Sequence, residues 1–200
     1  MNWPALLTAV ATHLKITLLG VAIGAVVGLP LAALLVRFRR FGRGVFSVVD
    51  AIQTIPTLAM MTIVMLAFGL NDTTVVVSIA LYSLFPITRN TYVGLTGIDA
   101  GTIRAGRGIG MTPLQIFTGI RFPIALPMIL TGIRLALVTA LSITTTGVFI
   151  GAGGLGMLIW RGIQTRNMGM MLSGAIPASL LAVFCELFIG WMEKRLKHSQ

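Results

Sequence analysis

Residues 103–123, Ile-Arg-Ala-Gly-Arg-Gly-Ile-Gly-Met-Thr-Pro-Leu-Gln-Ile-Phe-Thr-Gly-Ile-Arg-Phe-Pro, are the only long polar interruption in the interior of a chain otherwise composed for lipid. Within it, Thr112-Pro113-Leu114-Gln115 places a hydroxyl at a helix N-cap, proline at the first helical position and a glutamine three residues after the cap. That is a capping box with proline where its missing N–H costs nothing. Asp99 offers a cap to a preceding helix, and Gly108 and Gly110 give the backbone freedom to turn between the two. The segment therefore predicts helix, glycine turn, helix. Such a knob transmits a push that a floppy loop would absorb; the plainer alternative is an amphipathic loop lying on a membrane surface.

Working outward, 56% of the 200 residues are hydrophobic and 10% are charged. Soluble domains carry about 25% charged residues, so composition alone assigns a membrane protein. The net charge of +10 does not indicate nucleic acid, because the basic residues sit in short clusters between apolar runs and not on one solvated face. The lone Cys185 leaves no internal disulfide to form and reads as a packing residue in an apolar run. No cleavable leader is expected, since the first long apolar run follows Lys15 and is long enough to span.

Five stretches have the ~20 apolar residues that a bilayer crossing needs: about 16–36, 51–70, 73–95, 124–147 and 168–192. Residues 148–160 are broken by Gly151, Gly153, Gly154 and Gly156 and are not counted as a span. Arg37, Arg39, Arg40, Arg43, Arg104, Arg107, Arg121, Lys194, Arg195 and Lys197 fall on one side, against Lys15, Arg161 and Arg166 on the other. This asymmetry places the N-terminus outside and the C-terminus in the cytoplasm. Residues 2–13, with Trp3 and Pro4, are expected as a short surface helix, and His13 as an interfacial residue.

The central loop resembles the "EAA" loop of bacterial ABC importer permeases, whose pattern is Glu-Ala-Ala, three residues, Gly, nine residues, Ile-x-Leu-Pro. Arg104-Ala105-Gly106, Gly110, Ile120 and Phe122-Pro123 fall at those spacings, with Arg104, Gly106 and Phe122 departing in residue type. The resemblance implies that Arg104, Ala105, Gly106, Gly110, Thr112, Ile120 and Pro123 take part in coupling to an ATPase. Arg104 cannot make the ion pair that a glutamate there would make. Either the partner is charge-adapted, or the chain is one of two unlike permeases.

Further segments are similar to permeases of binding-protein-dependent osmoprotectant importers, the glycine betaine, carnitine and choline group. They are residues 12–18, 53–59, 82–92 and 150–156, so the likeness runs through nearly the whole chain in one register. It implies a single all-α permease domain with about five spans, the type I fold that methionine importers share, in the bacterial inner membrane. It also implies ABC ATPase subunits that bind ATP and Mg²⁺, with no cofactor in this chain. A second permease subunit, the same or homologous, and an extracytoplasmic solute-binding protein would complete the assembly. A methionine or amino-acid importer permease is the alternative within the same fold.

Some residues are polar where lipid-facing residues would not be. Gln53, Thr54 and Pro56 lie inside an uncharged run, and Thr144, Thr145 and Thr146 near the end of another. They either line a translocation path or make ordinary helix–helix hydrogen bonds. Asp50, Arg89, Arg134 and Glu186 are charges within or beside spans, costing roughly 2.5–3.5 kcal/mol each unless paired or snorkelled. They suggest a cross-helix network with Arg134–Glu186 as the preferred pair. The run from Gly151 to Gly156 is no dinucleotide site, lacking a preceding strand and a following acid. No His, Cys or carboxylate cluster suggests a metal or catalytic centre. The chain has two Tyr and three Trp, too few for a visible aromatic cage around a quaternary ammonium. A stand-alone carrier is disfavoured, because five spans do not divide into repeats. No phosphate-binding loop is present, so hydrolysis must come from a partner.

Overall fold

A computed structural model describes residues 3–198. Its helices are α1 (Trp3–Arg37), α2 (Arg39–Thr54), α3 (Thr57–Phe68), α4 (Asp72–Thr96), α5 (Ala100–Gly108), α6 (Pro113–Ile116), α7 (Phe122–Thr146), α8 (Leu155–Gln164) and α9 (Met168–His198). A π-helical turn, Phe117–Arg121, joins α6 to α7, and a 3-10 turn, Gly147–Ile150, follows α7. Among the described residues there is no strand.

Helix α4 is the axis of the bundle, packed between α1 and α7. Small residues bring the helices together. A Cβ added at Gly20 would lie 2.5 Å from Ile79 Cγ2, at Gly24 2.5 Å from Ser83 Cβ, and at Gly28 3.1 Å from Ile87 Cγ2. This four-residue spacing lays a glycine groove along α1 into which α4 fits. On the other side of α4, a Cβ at Gly132 of α7 would come 2.7 Å from Pro86 O. Without a hydrophobic drive between helices in lipid, such backbone approach supplies the association. The core follows the same seams: Ile16, Met61, Val75, Ile79 and Ile87 are fully or almost fully buried. Helix α9 is peripheral, and Leu180, Phe184, Leu187 and Phe188 along it are exposed.

Three helical stretches are long and apolar enough to cross a membrane, Trp3–Arg37, Pro113–Ile150 and Met168–Leu196, with the bent pair α2–α3 a possible fourth. Helix α4 has the length as well, at 25 residues, or about 37 Å at 1.5 Å per residue. It is less apolar because it carries many hydroxyls, and these turn inward: Thr74, Ser78, Ser83, Thr88 and Thr91 are all buried.

Two expectations need correction. Residues 3–13 are not a separate surface helix, since α1 continues unbroken from Trp3 to Arg37; residue 2 lies outside the described residues. His13 is fully buried, packed against the Gly154 backbone, where an added Cβ would meet the histidine's Cβ at 3.2 Å. Nor is the second span a straight helix over 51–70. Helices α2 and α3 meet at an angle of 101°, because Pro56 has no N–H to continue the ladder and restricts Ile55 to extended backbone. Ile55 has φ −67° and ψ 128°.

Candidate functional site

The loop over 97–123 is built from local signals. The Asp99 side chain accepts from Thr102 N at 2.9 Å and starts α5. Gly108 is the last residue of α5 and not part of the turn. The reversal falls on Gly110, whose φ is +87°, a conformation that residues with a Cβ rarely adopt. Met111 N then donates to Gly106 O at 3.1 Å. The capping box of α6 is complete, with Gln115 N donating to Thr112 Oγ1 at 3.3 Å and Thr112 N to Gln115 Oε1 at 2.8 Å.

Side chains then lock the two halves. Ile103 and Ile116 are buried between them. A Cβ on Gly106 would sit 2.9 Å from Ile120 Cδ1 and 3.3 Å from Met111 Sδ. The π-helical turn, which sequence reasoning missed, swings Ile120 into this contact. Arg121 NH1 donates to Leu95 O at 3.2 Å, tying the loop's return to the end of α4. Gly106, Gly110, Thr112 and Ile120 thus hold the shape of the loop, while Arg104 and Ala105 are exposed on α5 and Pro123 opens α7. Ile109 and Leu114, 81% and 71% exposed, are its most exposed large apolar side chains.

The residues considered for a translocation path are not gathered in one place. Gln53, Thr54 and Pro56 form the α2–α3 break. Thr54 Oγ1 donates to Ala51 O at 2.7 Å, and the Tyr82 hydroxyl of α4 donates to Ile55 O, the carbonyl left free by the bend. Gln53 Oε1 is buried there without a hydrogen-bond partner. The threonine triplet divides. Thr144 faces α1: it donates to Ala140 O at 2.9 Å and accepts from Thr17 Oγ1 at 2.8 Å. Thr145 and Thr146 line an open cleft of about 410 Å³ between α7, α8 and α9, together with Ser142 and Ser179, and none of Gln53, Thr54 and Pro56 reaches it. The glycine-rich turn closes over this end. Gly153 N donates to Asp72 Oδ1 at 2.9 Å, and Gly156 abuts the Thr145 carbonyl so closely that no Cβ fits.

Asp50, Arg89, Arg134 and Glu186, expected as one network, form two separate pairs. Arg89 NH2 is 3.0 Å from Asp50 Oδ2, joining α4 to α2, and its guanidinium lies 5.1 Å from the Phe46 ring centre. Arg134 NH1 is 3.0 Å from Glu186 Oε1, joining α7 to α9. Its NH2 is 3.4 Å from Glu193 Oε2. Sequence reasoning missed Glu193, which stands seven residues after Glu186 on the same helical face but beside Lys194 in an apparently basic tail. Gly190 leaves the gap between the two acids that the guanidinium enters, a Cβ there lying 3.3 Å from Arg134 NH1.

Comparison with known proteins extends this picture. Residues 20–198 match the family model described as "Binding-protein-dependent transport system inner membrane component". The chain is 45% identical to the glycine betaine/carnitine/choline transport system permease protein OpuCD of Bacillus subtilis, over 92% of this chain and 81% of that one. It is 44% identical to the choline transport system permease protein OpuBD of the same organism, over 92% and 82%. Among solved structures it superposes on a chain of the inward-facing MetNI methionine ABC transporter with a TM-score of 0.86 and 24% identity, covering 98% of this chain and 97% of that one. The fold is thus the all-helical permease fold of type I ABC importers. On the family match and these relatives, the chain belongs to the binding-protein-dependent transport system inner membrane components, the permease subunits of ABC importers.

Proposed function

We propose that this permease carries a small osmoprotectant, such as glycine betaine, choline or carnitine, into the cell by alternating access. The observation that carries the transport reading is the loop of α5, Gly110, α6 and the π-helical turn, braced internally by Gly106–Ile120 and tied to α4 through Arg121. In the proposed orientation, supported by the ten-to-three distribution of basic residues, the loop lies in the cytoplasm and the N-terminus outside. Closure of two ATPase subunits on ATP moves the loop, and its stiffness passes the motion to α4 and α7. ATP and Mg²⁺ belong to those partners. Solute arrives on an extracytoplasmic binding protein, and a second permease, the same or homologous, completes the passage.

The solute class rests on the names of the relatives at 45% and 44% identity. The likeness to the methionine transporter stands at 24% identity and supports only the fold. The test is uptake of labelled glycine betaine by the reconstituted transporter with its ATPase and binding protein. Choline or carnitine should compete and methionine should not. Strong competition by methionine, with the betaines inert, moves the protein to the amino-acid importers.

A further inference from the structure

We propose that the arginine-lined cavity between the ends of the spans and α5 binds the phosphate of an anionic phospholipid. The proposal rests on the orientation proposed above, which puts this cavity at the cytoplasmic leaflet.

Arg39 from the start of α2, Arg104 and Arg107 from α5 and Arg121 from the π-helical turn line one cavity of about 440 Å³. Its remaining wall includes Leu95 and Thr96, in the last turn of α4. A second cavity of about 770 Å³ shares Arg107 and Arg121, adds Arg37, and continues along the apolar Ala33, Val36 and Phe117. No carboxylate lines either cavity. The ion pairs seen among the described residues use Arg89 and Arg134 and none of these five arginines. Asp99, the acid nearest in sequence, is engaged in capping α5.

The four guanidiniums that line the smaller cavity repel one another, the Asp99 carboxylate beside Arg104 offsets only part of that, and a bound anion lowers the remaining cost. Guanidinium groups match phosphate oxygens in geometry as well as charge. Arg121 is already positioned by its bond to Leu95 O. Depth selects the source of the phosphate. Arg37, Arg39 and Arg121 sit at the end of α1, the start of α2 and the residue before α7, where headgroups lie, and the adjoining apolar trough offers a place for an acyl chain. Basic pockets between spans on this side of a membrane are characteristic headgroup sites. Leu114 lines the larger cavity, whereas Ile109, 81% exposed, lines neither and remains available to a protein partner. A phosphate held here would bridge α2 to α5, and so make the mobility of the loop depend on lipid charge.

The test is native mass spectrometry of the intact transporter, with its ATPase, released from nanodiscs of phosphatidylcholine with and without phosphatidylglycerol. Wild type should retain phosphatidylglycerol in preference to phosphatidylcholine. Arg39→Gln with Arg107→Gln should reduce that preference about fivefold per arginine, on the order of twentyfold for the pair. Arg39→Lys with Arg107→Lys should keep most of it, which separates lost charge from misfolding. Glycerol phosphate or inorganic phosphate at millimolar levels should not displace the lipid; displacement by either would make a free phosphate the ligand and overturn the lipid assignment. Equal retention by wild type and the Gln variant overturns the site. Loss of the ATPase from the Gln variant with lipid retained assigns the arginines to ATPase docking and also overturns it. Wild type that never copurifies with an ATPase contradicts the transporter reading instead, whatever its lipid content.

Discussion

Arg134 of α7 and Glu186 of α9 are ion-paired at 3.0 Å, and the same guanidinium reaches Glu193 at 3.4 Å. Helix α9 buries little surface, 11% of its most apolar window, so this clamp holds a loosely packed helix to the bundle. The three groups are not equivalent. Glu186→Gln leaves Arg134 with Glu193, whereas Arg134→Gln leaves two carboxylates facing each other. Arg134→Gln should therefore be the more harmful, costing about 2–3 kcal/mol against about 1 for Glu186→Gln, given that Glu186 is partly exposed. Thermal unfolding of the purified transporter checks the order. The swap Arg134→Glu with Glu186→Arg should recover less than the wild-type level, because the new glutamate faces Glu193.

The glycine groove of α1 makes a second expectation. Gly20→Val places its Cβ within 2.5 Å of Ile79 Cγ2, so the α1–α4 seam must open. The variant should be poorly assembled, and Ile79→Gly in the same chain should restore more of the yield in detergent than Ile79→Ala, whose Cβ still lies 2.6 Å from the new one. Restoration of Gly28→Val by Ile79→Gly would not be expected, since that position meets Ile87 and Thr88.

At the α2–α3 break, Tyr82→Phe removes the hydroxyl that satisfies Ile55 O. Ile55 is half-buried, so the unpaired carbonyl should cost about 1 kcal/mol, the low end of the range for a lost partner. Uptake should fall along with thermal stability, because the bend loses the bond that ties it to α4. Unchanged stability and uptake would show that water satisfies this carbonyl.

These relationships were unequally legible beforehand. The loop could be read closely because its determinants are local: a cap, a proline and a glutamine within four residues, and a glycine at the reversal. Arg134–Glu186 was foreseeable from the cost of two charges in lipid. The 101° bend was not, because the uncharged run around Pro56 reports length without direction. His13 was misplaced at the interface because neighbouring Lys15 suggested it, whereas burial under Gly154 is a contact across 141 residues of chain. The threonine triplet looked like one feature, yet helical rotation of about 100° per residue sends Thr144 to α1 and its neighbours to the α8–α9 cleft.

Gly110 carries the turn of the loop, and open space surrounds it. A substitution there is opposed by backbone strain and not by collision. Gly110→Leu should abolish uptake while the protein stays inserted and abundant, and Gly110→Asn, which tolerates positive φ better, should retain a substantial part. Equal loss with Asn and Leu would point to a contact made by the glycine itself.

The most direct measurement is photo-crosslinking of the intact transporter with benzoylphenylalanine at Leu114 or Ile109, against Leu66, which is 82% exposed on α3. The coupling account predicts an adduct between the permease and the ATPase subunit from Leu114 and Ile109, none from Leu66, and a yield that changes when ATP is added. A transporter that still imports solute but gives no ATPase adduct from either loop position, with or without ATP, would contradict it.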